Sequence, residues 1–195
     1  MSNPIIHGFR HVTTFSGRDR RGRFWPYAAV VLVLGFVVLG VAVTFSLGGY
    51  VTEVQQFAVA HPEATTVESS PGSWSISIDA NHPDAPVPDL DGFFVSMGIG
   101  VLAIIAGLAA AVSRRLHDSG RSALWGLLPV PFLLFGIGFF PVMMDSMMAS
   151  EQPDLTLFFL LFGNNVLYLG ALGTLVILLS LPTRPEANRH GAPPT

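Results

Sequence analysis

The 195-residue chain lacks both cysteine and lysine, and it carries little charge of either sign. Without cysteine it can have neither a disulfide framework nor a thiolate metal site. Charged residues make up only 12% of the chain, whereas an ordinary soluble domain has about 25%. Half of the residues are apolar, and the mean hydropathy is +0.54. This composition argues against a soluble globular protein and indicates one that is embedded in a bilayer.

Four long apolar runs contain no Asp, Glu, Arg or His. Each has the roughly 20 residues that a helix needs to cross about 30 Å of hydrocarbon. A helix also satisfies its own backbone hydrogen bonds, which hydrocarbon cannot do. The sequence therefore predicts an all-α integral membrane protein with four transmembrane helices. The spans are residues 27–47, 93–112, 123–144 and 155–181.

The ten arginines fall on only one of the two sides into which these spans divide the chain. They lie before the first span, between the second and third spans, and after the fourth. The loops after the first and third spans carry ten carboxylates and no basic residue. Because arginine near the end of a span resists translocation, both termini and the middle loop are predicted to be cytoplasmic. Residues 48–91 then form a long acidic loop outside.

The predicted organisation has three parts. A cytoplasmic arginine-rich segment, residues 1–25, precedes a four-helix membrane domain, residues 26–181, and a cytoplasmic tail, residues 182–195, ends the chain. Arginine-rich segments can bind nucleic acid, but no nucleic-acid-binding fold can be built from so short a segment beside a bilayer. We therefore expect no nucleic-acid partner.

Local patterns refine the loops and the third span. Apolar residues at helical spacing extend the first helix to Ala60, where His61-Pro62 should stop it. Residues 73–78 alternate between serine and apolar side chains, which is typical of a short strand. Prolines at positions 129 and 131 predict a kink or local unwinding in the third span.

The loop between the second and third spans is the densest polar cluster. Arg114 and Arg115 are expected to complement the dipole at the carboxyl end of the second span. Gly120 permits the turn, and Ser122 can cap the third span. The arginines of this inner surface are also expected to attract anionic headgroups at about 1 kcal/mol each.

Few residues suggest chemistry. His117-Asp118 resembles a metal or acid/base pair, but catalytic metal sites usually need three protein ligands, and no companion set lies on this face. Asn164 and Asn165, in the fourth span, either line a polar site or form interhelical hydrogen bonds, and we favour the hydrogen bonds. In the outer loop, histidines 61 and 82 and the carboxylates could collect divalent cations weakly, but a solvated acidic loop is the better explanation. The sequence therefore predicts no bound metal and no organic cofactor.

The polar segments together resemble a bacterial inner-membrane family known only as domain of unknown function 805. The matching residues before the first span are Phe15, Gly17, Arg18, Arg21, Phe24 and Trp25. The middle loop matches through residues 114–122 and then Trp125, and the tail matches through Asn188, Arg189 and Gly191. The chain departs from the family pattern at Arg20, Ala123, His190 and Ala192 and has a longer outer loop. The resemblance implies a four-helix protein of the bacterial cytoplasmic membrane, and it implies no activity.

Our leading hypothesis is a non-enzymatic, multi-pass membrane protein whose arginine-rich cytoplasmic face contacts anionic lipid or a partner protein. The candidate contact residues are Arg18, Arg21, Arg114, Arg115, His117, Asp118 and Arg121. One alternative is a component of a transporter or channel that uses Asn164, Asn165 and the proline-kinked third span. A second alternative is a membrane-embedded enzyme that uses His117 and Asp118 on a lipid. Small residues in the spans could also support a homo-oligomer, which the sequence leaves open.

Overall fold

A computed structural model describes residues 3–88, 90–149, 155–188 and 190–192. Four charged residues that entered the orientation prediction, Asp89, Glu151, Asp154 and Arg189, lie outside the described residues. These described residues are mostly helical and include one small sheet. The elements are α1 (Pro4–Arg10), α2 (Arg21–Ala60), β1 (Thr65–Ser70), β2 (Ser73–Ile78), α3 (Leu90–Asp118), α4 (Val130–Ala149) and α5 (Leu155–Ser180).

The described part of the chain contains four helical segments that are long and apolar enough to cross a membrane. They are Arg21–Ala60, Gly92–Asp118, Ala123–Met147 and Leu155–Ser180. Only 6% to 11% of the residues in their apolar windows are buried within the chain. Such extensive apolar surface is typical of helices that lie in a membrane. The prediction of four helices long and apolar enough to span a membrane is confirmed.

The chain packs into two compact units, one formed by residues 1–37 and 98–195 and the other by residues 38–97. In the second unit α2 ends at Ala60, as His61-Pro62 predicted. The predicted strand is β2, which pairs antiparallel with β1, a strand that the sequence pattern did not reveal. Pro71 and Gly72 join the two strands, and Gly72 has the positive φ, 88°, that a tight turn demands.

In the first unit, the connection from α3 to α4 follows the sequence prediction. Gly120 has a φ of 76°, a region that other residues seldom adopt. The Ser122 hydroxyl accepts a hydrogen bond from the Leu124 N–H and so caps a 3-10 helix, Ala123–Leu127. The α-helix begins only at Val130. The third span is therefore unwound around its first proline, as expected.

The apolar core of the first unit lies where α2, α3 and α5 meet. Its buried members are Phe24, Tyr27, Ala28, Val31, Ala111, Leu116, Leu175 and Leu179. The Tyr27 hydroxyl donates a 2.7 Å hydrogen bond to the Gly107 carbonyl. A Cβ at Gly107 would lie 3.2 Å from the Val31 side chain, a tight contact, so the glycine lets α2 and α3 approach closely here. This core brings the end of α3 beside the end of α5 and thereby positions the polar residues described next.

Candidate functional site

Five charged side chains are buried together beside this core, and we call them the arginine network: Arg18, Asp19, Arg114, Arg115 and Asp118. Three are guanidinium groups and two are carboxylates. Charged residues are almost never fully buried unless they are paired. Their hydrogen bonds therefore decide whether this cluster holds the fold together or presents a chemical site.

Asp118, the last residue of α3, lies at the centre of the network and is fully buried. Its carboxylate accepts hydrogen bonds from Arg115 Nη1 at 2.5 Å, from Arg18 Nε at 3.3 Å and from the Thr183 hydroxyl at 2.6 Å. These three donors come from α3, from the amino-terminal segment and from the carboxyl-terminal tail. One carboxylate thus joins three parts of the chain that are far apart in sequence.

Arg18 ties the amino-terminal segment to the tail. It makes five hydrogen bonds, which is as many as a guanidinium has N–H donors. Besides the Asp118 side chain, the acceptors are the backbone carbonyls of Asp118, Arg184, Glu186 and Gly191, at 2.6 to 3.3 Å. Because every donor is used within the chain, Arg18 has none left for a headgroup or substrate.

Arg114 holds the amino-terminal segment in a second place. Its Nε donates to Asp19 at 2.6 Å, and its Nη1 donates to the carbonyls of His11, at 2.7 Å, and Thr14. The other Asp19 oxygen lies 3.2 Å from His7 Nε2. The backbone N–H of Asp19 also donates to the Arg114 carbonyl, so the two residues are bonded through main chain and side chain. This pairing fixes the segment that leads from α1 to α2.

Arg115 caps the carboxyl end of α5. Its Nε donates a 2.8 Å hydrogen bond to the Leu179 carbonyl, and its Nη2 donates a hydrogen bond to the Leu181 carbonyl. The sequence predicted that Arg115 complements the dipole of its own helix, and Arg115 does lie in the last turn of α3. The sequence did not predict its hydrogen bonds to the carbonyls at the end of α5, which have no partners within their own helix.

The remaining predicted contact residues lie around the network. Arg21 is exposed and donates to the Ser180 carbonyl at 3.3 Å, and Arg121 is half-buried. The His117 ring stacks on His190 with centroids 3.6 Å apart. The structure thus separates the seven candidates into a buried group and a more accessible group.

The two asparagines of α5 do not share one site. Asn164 donates through Nδ2 to the Phe132 carbonyl of α4 at 2.9 Å. A Cβ at Gly136 would lie 3.4 Å from the same nitrogen, so a small residue on α4 accommodates the amide. Asn165 is exposed. Asn164 is therefore placed as an interhelical contact, and its neighbour faces outward.

The burial of the network limits its chemistry. The Asp118 carboxylate is occupied by three donors and fully buried, so a substrate cannot reach it. Sequence reasoning missed Asp19 and Thr183 because their partners lie 95 and 65 residues away, and no local pattern marks such pairs. What the network can do is lock three chain segments together.

The residues that carry the family resemblance meet in this place. Arg18 of the first motif bonds Asp118 of the second and the Gly191 carbonyl of the third. Asn188 of the third motif donates to the His117 carbonyl at 3.0 Å.

The family model described as a protein of unknown function, DUF805, matches residues 12–192. No curated protein and no solved structure matches the chain. The chain therefore belongs to the DUF805 family, whose function is unknown.

Proposed function

We propose that this protein is a non-enzymatic, multi-pass protein of the bacterial cytoplasmic membrane that binds anionic lipid headgroups through the exposed arginines around the arginine network. Both termini and the loop after α3 face the cytoplasm in this proposal. The asymmetric distribution of all ten arginines supports that orientation. A reporter that works only in the cytoplasm should be active when it is fused within residues 114–121. An inactive reporter at this place would overturn the orientation.

One observation carries the lipid proposal. Arginines at positions 10, 21 and 184 are exposed, whereas Arg18, Arg114 and Arg115 are buried and bonded within the chain. The exposed guanidinium groups can reach headgroup phosphates without loss of the network. We therefore assign the lipid contacts to Arg10, Arg21 and Arg184 rather than to the buried members of the original set.

Exposed apolar side chains accompany these arginines. In and beyond α1, Ile6, Phe9 and Phe15 are each about half exposed, at 52%, 48% and 53%. Phe9 also packs edge-on against Tyr27, with ring centroids 5.2 Å apart, so α1 is held at the start of the first span. Apolar and aromatic side chains next to arginine suit the boundary between headgroups and acyl chains. This combination favours a lipid surface over a soluble partner.

The two rival functions have weaker support. An enzyme that uses His117 and Asp118 would have to bring its substrate to a fully buried carboxylate. A transporter that uses both asparagines would need them in one pathway, but Asn164 hydrogen-bonds to α4 whereas Asn165 is exposed. Neither arrangement favours catalysis or transport at these positions.

Native mass spectrometry of the purified full chain tests the lipid proposal. With equal amounts of phosphatidylglycerol and phosphatidylcholine in mild detergent, the wild type should retain phosphatidylglycerol. Changing Arg10, Arg21 and Arg184 together to glutamine should weaken this preference on the order of 100-fold, because each contact contributes about 1 kcal/mol. The control variant, Glu53→Gln with Glu68→Gln, changes exposed residues of the other unit and should keep the preference.

Three results separate the explanations. Equal retention of both lipids by the wild type would refute the proposal. Inorganic phosphate that displaces the lipid at millimolar concentration would indicate a free anion as the ligand. A triple variant that keeps its lipid preference but loses a co-purifying protein would refute the assignment of the lipid contacts to these three arginines and would favour a partner protein as their ligand.

A further inference from the structure

A second cluster of chemically capable side chains lies in the 38–97 unit. His61, Glu63 and His82 each offer a ligand atom, and these atoms all lie within 4.8 Å of one another. His61 Nδ1 is 3.3 Å from Glu63 Oε1. Two imidazoles and a carboxylate that converge in this way are a frequent ligand set for zinc.

The β-hairpin brings His82 beside His61 although the two histidines are 21 positions apart. His61 follows directly on α2, and its carbonyl accepts a 3.0 Å hydrogen bond from the Thr65 hydroxyl. At the base of the hairpin Thr65 pairs with Ile78, and the Asp79 N–H donates to the Ala64 carbonyl at 2.9 Å. The chain that leaves β2 therefore returns beside the end of α2. His82 reaches His61 as a consequence of this pairing.

A buried aromatic residue supports both imidazoles. Phe57, one turn before the end of α2, is only 6% exposed. Its ring centroid lies 4.8 Å from that of His61 and 5.2 Å from that of His82. The two histidine rings are 4.5 Å apart. Packing on a shared aromatic ring holds the imidazoles in place. This packing lowers the conformational-entropy cost of ordering the two side chains when a metal ion binds.

A second carboxylate, that of Asp84, lies beside the three residues of the cluster. Asp84 Oδ2 lies 3.9 Å from His61 Nε2, and the Asp84 N–H donates to His82 Nδ1 at 3.2 Å. Glu63 has a lowered pKa, chiefly because its own backbone N–H donates to the carboxylate. Both histidines are half-buried and both carboxylates are exposed, so an ion can enter from solvent.

We propose that His61, Glu63 and His82 bind one zinc ion, with Asp84 or water as the fourth ligand. Ligand atoms about 2.1 Å from a tetrahedral ion are about 3.4 Å apart. The cluster therefore closes around zinc by shifts of about 1 Å. Magnesium and calcium prefer sets made of oxygen alone, so the two imidazoles select zinc or a similar transition metal. The ion joins the end of α2 to the chain that leaves the hairpin, and this proposal replaces the expectation of a metal-free outer loop.

Calorimetric titration of the chelator-treated full chain with zinc sulfate tests the proposal. The wild type should bind one zinc ion per chain. His61→Ala and His82→Ala should each weaken binding at least about tenfold, because even the loss of an outer partner of a metal ligand has an effect of that size. Two control variants, His11→Ala and Glu68→Gln, remove an imidazole and a carboxylate outside the cluster and should leave the affinity unchanged.

Cobalt substitution of the wild type gives a second readout that needs no variant. Co²⁺ in a tetrahedral site with nitrogen and oxygen ligands gives visible absorption bands, and zinc should abolish them. A solvated acidic loop would instead bind calcium as well as zinc, with several weak ions per chain and no dependence on His82. That result, or wild-type affinity in both histidine variants, would overturn the proposal.

Discussion

Replacing Asp118 by asparagine keeps the shape of the side chain but removes the charge that Arg18 and Arg115 share. The carboxylate accepts hydrogen bonds from both guanidinium groups and from the Thr183 hydroxyl, all within 3.3 Å. An asparagine amide can accept through its oxygen alone, and its NH₂ group would face other donors. The variant therefore leaves two buried cations without their shared anion.

The contacts around Asp118 set the size of the expected effect. Removing one partner of a buried ion pair costs about 3–5 kcal/mol. Arg18 retains four carbonyl acceptors, and Arg115 retains the carbonyls of Leu179 and Leu181. Because these bonds survive, we expect a loss near the lower limit, about 3 kcal/mol. The loss should appear first in the tail, whose Thr183 hydroxyl bonds the altered group.

Hydrogen exchange followed by mass spectrometry measures this effect in the full chain. Amides of the tail, residues 182–192, should exchange on the order of 100-fold faster in Asp118→Asn, since each 1.4 kcal/mol is about a tenfold change. Glu186→Gln makes the same chemical change on an exposed side chain of the same tail and should alter the free energy of opening by less than about 0.5 kcal/mol. Equal exchange in the two variants would refute the view that buried charge pairing holds the tail.

Two further predictions concern stability in detergent. Gly120→Ala should lower the free energy of unfolding by about 1–2 kcal/mol, because φ is 76° there. Gly22→Ala, in a helix with open space at the Cβ position, should not destabilise the protein. Equal melting temperatures of the two variants would contradict this reasoning. Asn164→Ala should cost about 0.6–2 kcal/mol through its lost bond to α4, and Asn165→Ala, at an exposed position, should cost less. The reverse order in thermal unfolding would show that the interhelical bond contributes little.

The membrane helices could be predicted from sequence because the bilayer imposes a simple physical requirement. A charge-free apolar run of sufficient length has few alternatives to a spanning helix. Local stop signals were equally informative: His61-Pro62 ends α2 at Ala60, and Ser122 caps the segment that follows α3. Each of these signals acts within a few residues of its effect.

The features that escaped sequence reasoning depend on distant partners. β1 consists largely of polar residues, so it lacks an apolar alternation, and only its pairing with β2 makes it a strand. Sequence reasoning placed Arg114 and Arg115 in a loop at the headgroups, whereas both lie near the carboxyl end of α3. Their burial follows from Asp19, 95 residues before Arg114, and from the α5 carbonyls, more than 60 residues after Arg115. Charge composition alone does not distinguish a solvated arginine from one enclosed by such acceptors.

The position of the family motifs changes where an activity should be sought. A motif rich in arginine, histidine and aspartate suggests an exposed binding or catalytic surface. Here Arg18, Arg115 and Asp118 are buried, and their hydrogen bonds are made to the chain itself. Variants of these residues will therefore lose stability along with any function, and a loss of phenotype in them cannot identify a ligand site. Exposed arginines such as Arg21, and the His61 cluster, can be changed without breaking the network, so they are the positions at which function can be tested separately from folding.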